Sequence, residues 1–180
     1  MTFRAITEAD TAKLASAVAA AFLLYRDFAP PGWQPPTADS EATLLERWIA
    51  DAGFWGEAAF DDATLAGHAA FIPAADHFFR PGRDATAAHL LHLFVSPDFW
   101  GTGLASELMA RAGAAAIARG HDSMRLFVSQ GQRRARRFYE REGFSAVGEP
   151  FEFGLGIPAL EYRRALTGQP RNAPAAPPRQ

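Results

Sequence analysis

The segment Val95-Ser96-Pro97-Asp98-Phe99-Trp100-Gly101-Thr102-Gly103-Leu104-Ala105 has the residue types that bind phosphate through the main chain. An apolar run from His89 to Val95 leads into it, and an amphipathic helix is predicted from Thr102 to Arg119. Pro97 stops the strand, while Gly101 and Gly103 allow a tight turn with no Cβ in the way. Amides from Gly101 to Ser106 then point outward with partial positive charge. An anion docked on them gains about 0.3–2 kcal/mol from the helix dipole. Ala105 and Ser106 are small, so a diphosphate can come close to the backbone. A Gly-Lys-Ser/Thr phosphate loop is excluded, because Lys13 is the only lysine. A dinucleotide fingerprint needs a third glycine and an early βα unit, and this turn lies past mid-chain. On the turn alone, an ordinary packing turn is the competing reading.

Side chains able to move protons flank this segment. His89 and His92 lie on the apolar strand, and an imidazole near pKa 6.5 is mostly neutral at pH 7 and accepts a proton. Strand alternation puts His89 on one face with Leu91 and His92 on the other, so only one is expected to reach a cleft. Tyr139 lies on a basic helix predicted from Gln132 to Glu142; its phenol, near pKa 10, stays protonated at neutral pH. With no cysteine, a disulfide framework, a Cys-ligated zinc site and a Cys-thioacyl intermediate are all ruled out, and no metal is expected.

The positioning elements follow from periodicity and breakers. Thr2–Ile6 is predicted as a first strand, followed by an alanine-rich helix opened by Thr7 and Asp10 and running to about Tyr25. Pro30, Pro31, Gly32, Pro35 and Pro36 force an extended loop around Trp33. A second helix is expected over Asp39–Ala52, its Leu44, Leu45, Trp48 and Ile49 sharing a face. Phe54–Phe60 and Leu65–Ile72 read as a hairpin, and Pro73–Thr86 as a loop. His89–Val95 reads as a central strand buried on both faces, and Met124–Val128 as another buried strand. Two closing strands fall near Phe144–Val147 and Leu160–Leu166. The order predicts one α/β domain with a mixed sheet over residues 1–166. Residues 167–180 hold Pro170, Pro174, Pro177 and Pro178 with no apolar cluster and are expected to be a disordered tail.

A chain of 180 residues suits one core, and its formal net charge of -2 argues against sequence-independent nucleic-acid binding. Neither a signal-type apolar run nor a membrane-length stretch occurs, so a cytoplasmic protein with no membrane partner is expected.

Two motifs together carry a family resemblance. Trp100-Gly101-Thr102-Gly103-Leu104-Ala105 resembles the acetyl-CoA diphosphate loop of the GNAT N-acetyltransferase superfamily, Gln/Arg-x-x-Gly-x-Gly/Ala. Some 30 residues on, Gln132-Arg133-Arg134-Ala135-Arg136-Arg137-Phe138-Tyr139-Glu140-Arg141-Glu142-Gly143-Phe144 resembles that family's Asn-x-x-Ala-x-x-Phe-Tyr-Glu-x-x-Gly-Phe. The likeness spans about Ala88 to Phe144. Trp100 departs from the pattern by removing a side-chain donor while leaving the backbone cradle. Gln132 keeps the amide of the usual Asn on a side chain one methylene longer.

The resemblance implies a single-domain GNAT-like α/β fold, with a central mixed, mostly antiparallel sheet flanked by helices. It implies acetyl-CoA as co-substrate, bound by Gly101, Thr102, Gly103, Leu104, Ala105, Ser106 and Gln132. The backbone of Leu93, Phe94 and Val95 would pair with the pantetheine arm, and one or two of Arg133, Arg134, Arg136 and Arg137 would reach CoA phosphates. Tyr139 falls at the general-acid position. His89 lies 11 positions before Trp100, where several relatives place a catalytic carboxylate, and is the candidate base; Glu152, Glu161, His77 and a water chain stay open. The acceptor side would be bordered by Tyr25, Phe28, Trp33, Phe78 and Phe79, with Asp27, Asp39, Asp76 and Asp84 available for an ammonium group. The expected activity is direct transfer of acetyl to a primary amine in a ternary complex, with a small-molecule acceptor favoured. A protein or peptide N-terminus as acceptor, and a non-catalytic acyl-CoA-binding module, are the alternatives. A homodimer is implied only by analogy with relatives.

Overall fold

A computed structural model describes residues 1–77, 80, 84–152 and 154–166. The expectations for Phe78, Phe79, Pro81, Gly82 and the 167–180 tail lie outside these residues.

Thr7 and Asp10 open the first helix as their types require. The Asp10 carboxylate accepts from the Thr7 amide at 2.9 Å and from Arg4 at 2.7 and 2.8 Å. Arg4 holds the Asp10 carboxyl down at about 2. A short 3₁₀ turn then leads into α1 (Thr11–Phe22), which continues as 3₁₀ helix to Asp27. Thr37 caps α2 (Ala38–Ile49) by accepting from the Ser40 amide at 3.2 Å. The remaining helices are α3 (Leu104–Ala118) and α4 (Arg133–Arg141).

Seven strands form one sheet in the order β1-β2-β3-β4-β5-β7-β6. They are β1 (Thr2–Ala5), β2 (Trp55–Asp61), β3 (Thr64–Pro73), β4 (Ala87–Val95), β5 (Ser123–Ser129), β6 (Ser145–Glu152) and β7 (Pro158–Ala165). Every neighbouring pair is antiparallel except β4 and β5. The predicted mixed, mostly antiparallel α/β architecture is therefore present. Its core is divided by the sheet. Leu14 and Ala15 of α1 and Leu45 and Trp48 of α2 bury against Ala58, Phe60 and Ile72. Leu104, Leu108, Met109, Ala112 and Ala116 of α3 bury with Ala59, Ala69 and Phe71, joined by Phe138 of α4.

Two details of β4 correct the sequence reading. Only Ala87 to Leu90 is fully buried; Leu91 to Val95 is half-buried. In addition, β3 pairs Phe71 with Leu90 and Ala70 with His92, which leaves Leu91 as an extra residue. This bulge breaks the alternation from which His89 and His92 were assigned to opposite faces. No helix among the described residues is long and apolar enough to cross a membrane.

Leu108 has no exposed surface and sits centrally in the larger core cluster. Its replacement by Ala is expected to cost about 2–5 kcal/mol of unfolding free energy, read from urea denaturation.

Candidate active site

The parallel ladder between β4 and β5 covers only Ala87–Leu90 against Ser123–Leu126. Past that point β5 stays with β7 through Ser129, whereas β4 stays with β3 through Val95. The two strands diverge, and the later half of β4 keeps a ladder partner on one side only. A cavity of about 540 Å³ opens between them, lined by Leu91–Phe94 on one wall and Phe127–Ser129 on another. Tyr139, Gln132 and Ala135 of the α4 region and Phe22, Tyr25, Glu41, Leu44 and Trp48 of the α1–α2 side complete it.

At the end of β4 the chain enters the predicted phosphate turn. Gly101 and Gly103 adopt φ of +82° and +90°, with open space where a Cβ would lie, so backbone conformation alone demands glycine there. Gly103 caps α3. The first-turn amides of Ala105 and Ser106 have no intrahelical acceptor, and residues 101–103 and 106 are solvent-exposed. The hydroxyls here are already committed. Thr102 Oγ1 donates to the Phe99 carbonyl at 2.8 Å, and Ser106 Oγ donates to Glu142 Oε1 at 2.7 Å. What the turn offers an anion is its main chain.

Trp100 has a structural task in place of the missing side-chain donor. Its Nε1 donates to the Val95 carbonyl at 2.8 Å, pinning the turn to the end of β4. Arg134 stacks its guanidinium 3.7 Å from the centroid of the Trp100 ring, bringing a cation to the flank of the turn. Of the other helix arginines, Arg136 is spent on Tyr162 Oη and the Gln130 carbonyl, while Arg133 and Arg137 point to solvent.

The structure brings together Tyr139, His89, Leu93, Phe94 and Gln132 on one cavity. Val95 and Gly101–Ser106 lie beyond its rim. Burial holds the Tyr139 phenol well above its ordinary pKa, so it is protonated throughout the neutral range. Gln132 Oε1 accepts from Tyr25 Oη at 3.1 Å, so it belongs to the cavity wall rather than the phosphate turn. The bulge turns both His89 and His92 toward the cavity. His92 Nδ1 lies 3.4 Å from His68 Nε2, and burial depresses both pKa values, that of His92 to about 4. His89 packs at a tilt against His77 and Phe127, with ring centroids 4.1 and 4.6 Å away, and burial beside His77 and Arg125 keeps it neutral. A proton on His89 would create a buried cation next to Arg125, so it suits a neutral wall better than a base. Glu161 is paired with Arg163 and Arg80 away from the cavity, and Glu152 lies on edge strand β6.

Asp27, Asp39, Asp76 and Asp84 do not line the cavity; Glu41 does. Glu41 does carry a sequence signal. It falls three, four and seven positions before Leu44, Leu45 and Trp48, on the apolar face of α2, where a carboxylate has no solvent. Tyr25, Phe28 and Trp33 do gather at this end. Trp33 Nε1 donates to the Leu155 carbonyl at 2.7 Å and its ring stacks on Tyr25 at 6.1 Å. The Phe28 ring fills the space beside Gly131 that a Cβ would need. Trp33 thereby ties the proline-rich loop across to the β6–β7 connection, and Phe28 packs on the β5–α4 connection.

The chain matches the Acetyltransferase (GNAT) family over residues 18–144. It belongs to that family of acetyltransferases, which take their acyl group from acetyl-CoA. No curated protein sequence matches it significantly. Among solved structures, a ribosomal-protein-alanine N-acetyltransferase from Brucella melitensis is 21% identical with a TM-score of 0.68, covering 92% of this chain and 100% of that one. An acetyltransferase from Salmonella typhimurium, solved with its cofactor acetyl-CoA, is 18% identical with a TM-score of 0.68 over 93% of this chain and 95% of its own. An aminoglycoside 6'-acetyltransferase type Ii is 18% identical with a TM-score of 0.70 over 94% and 100%. At such identities the likeness is one of fold.

Because Gly103 stands in the left-handed region with nothing near its missing Cβ, Gly103→Ala is expected to cost about 1–2 kcal/mol through the backbone alone. Urea unfolding of the two proteins without ligand checks it.

Proposed function

We propose that residues 1–166 form an N-acetyltransferase domain that moves acetyl from acetyl-CoA to the primary amine of a small molecule, in a ternary complex. The observation that carries this reading is the divergence of β4 and β5 over a cavity lined by Leu91–Phe94, on the strand that leads into the glycine turn. It supplies an unpaired strand edge at Leu91–Val95 for the amide groups of a pantetheine arm, by strand addition. The exposed amides around Gly103 to Ser106 suit the diphosphate, with Arg134 beside them for a further phosphate. The Val95 carbonyl is taken by Trp100, so Leu93 and Phe94 are the better placed of the predicted partners.

Bound acetyl-CoA supplies an activated acyl group as a thioester. The chain's residues do the rest. Holding two reactants in one cavity contributes much of the acceleration. The amine nitrogen attacks the carbonyl carbon, the C–S bond breaks, and the departing sulfur takes the phenolic proton of Tyr139. The new amide nitrogen then gives up its surplus proton to the phenolate, restoring Tyr139. Since the chain has no cysteine, no thioacyl enzyme forms on sulfur. Donation from a phenol to a thiolate is uphill on ordinary values, near 10 against about 8.5 for a thiol, so proton transfer is coupled to C–S cleavage.

A small acceptor is favoured over a protein N-terminus because the loop bearing Trp33 is fastened to Leu155 and Phe28 is wedged against Gly131. An extended polypeptide would need that crossing to open.

Tyr139→Phe is expected to lower kcat by about 10²-fold or more while leaving the Kd for acetyl-CoA unchanged. Release of CoA thiol over an amine library, together with calorimetry of acetyl-CoA binding, measures both. Unaltered kcat would remove Tyr139 from the mechanism, and absence of acetyl-CoA binding would remove the proposed function.

A further inference from the structure

The amine that enters this site has to lose a proton before it can attack. His89, the expected base, is packed against His77 and Phe127 beside Arg125, where burial keeps it neutral. Glu41 is differently placed. Only 4% of its surface is exposed, yet it borders the cavity, reaching it from α2 while the open edge of β4 borders it from the sheet. Among the described residues its carboxylate has no hydrogen-bond or salt-bridge partner, and desolvation alone raises its pKa to about 7. A buried carboxylate without a partner is costly unless something charged or protic meets it. Among the described residues, the polar side chains that share the cavity with it are Tyr25, whose phenol is held protonated by burial, Tyr139, Gln34, Gln132, Ser40, Ser129, and the neutral His77, His89 and His92. None of these is a cation.

The rest of the lining narrows the acceptor. Much of the lining is apolar, Val18, Phe22, Leu44, Trp48 and Ile157 among it. No arginine or lysine lines the cavity among the described residues, so a carboxylate or phosphate on the acceptor would be buried without a counter-charge. Nor, among the described residues, is there a second lining carboxylate for a second ammonium group.

We propose that Glu41 receives the acceptor's ammonium group and takes its proton, and that the cavity selects a primary monoamine on an apolar body with no anionic substituent. This rests on the acetyl-transfer reading above and names its substrate class. The ammonium N–H proton passes to the Glu41 carboxylate, giving a neutral amine and a carboxylic acid. The amine attacks, sulfur leaves as the thiol with the Tyr139 proton, and Tyr139 is restored from the amide nitrogen. Glu41 finally releases its proton to water, so one proton is produced per amide formed.

The test uses the full-length protein and Glu41→Gln, with acetyl-CoA and three probes: phenethylamine, phenylalanine and cadaverine. CoA release is followed from about pH 6 to about pH 9, and products are identified by mass. Phenethylamine is expected to exceed both other probes by at least about tenfold in kcat/KM. Its kcat/KM should rise with pH up to about 7 as Glu41 ionises, then level off. In Glu41→Gln it should fall about 100-fold near neutrality and keep climbing toward the amine's own pKa of about 10, with acetyl-CoA affinity unchanged. That change of profile is one a merely structural role would not produce. A Gln variant matching the parent in rate and pH profile, or a preference for phenylalanine or cadaverine, overturns the proposal. Calorimetry of phenethylamine in the presence of CoA separates the two readings. Binding that Glu41→Gln abolishes, without any acetylation, supports Glu41 while refuting acetyl transfer; binding that the variant retains, or no binding to the parent, refutes Glu41.

Discussion

Past Leu90 the backbone of β4 loses its neighbour on one side, and the site depends on that loss. A strand in the middle of a seven-stranded sheet would ordinarily have both edges satisfied. Here β5 keeps its ladder to β7 while β4 keeps its ladder to β3, and the extra residue Leu91 sharpens the bend between them. The unsatisfied edge is tolerable because it faces a cavity large enough for a ligand carrying its own amides. The parallel ladder from Ala87 to Leu90 holds the apex of the wedge closed. The antiparallel pairings on either side, with the two core clusters beneath, keep the diverging halves rigid.

From this one constraint the other parts take their positions. The short connection from Val95 to Gly103 carries the chain from the end of β4 to the start of α3. Trp100 fixes their relation by donating to Val95, and Arg134 covers the outer face of the indole. On the opposite side, α1 and α2 roof the cavity. Their apolar faces that pack the smaller core extend past it, and this extension carries Glu41 and Leu44 into the site. Cavity-lining and core-packing roles are therefore not cleanly divided among residues. Trp48 both packs the core and lines the cavity.

Much of this was legible in the sequence, for local reasons. Helix and strand order followed from periodicity and from the Pro and Gly breakers. The turn at Gly101 and Gly103 was legible because its positive φ values are a property of residue type. The Tyr139 helix followed from its motif. Two features were not legible, and a third carried a signal that its residue type obscured. The bulge at Leu91 leaves no mark in a run of apolar residues, so the faces of His89 and His92 were misassigned. The Trp33–Leu155 bond joins residues 122 positions apart, a separation that no periodicity encodes. Glu41 was passed over because helix carboxylates are ordinarily solvated. Its position on the apolar face was the only clue, and the aspartates considered in its stead all lie off the cavity.

The divergent edge of β4 is most directly tested by amide hydrogen exchange with and without acetyl-CoA, resolved to single residues. Strong added protection concentrated at Leu91–Val95 and at Gly103–Ser106, with little change at Ala87–Leu90 where the ladder is already complete, is the expected pattern. Saturating acetyl-CoA that leaves the later half of β4 exchanging as before, or protects a different strand edge, would contradict the account.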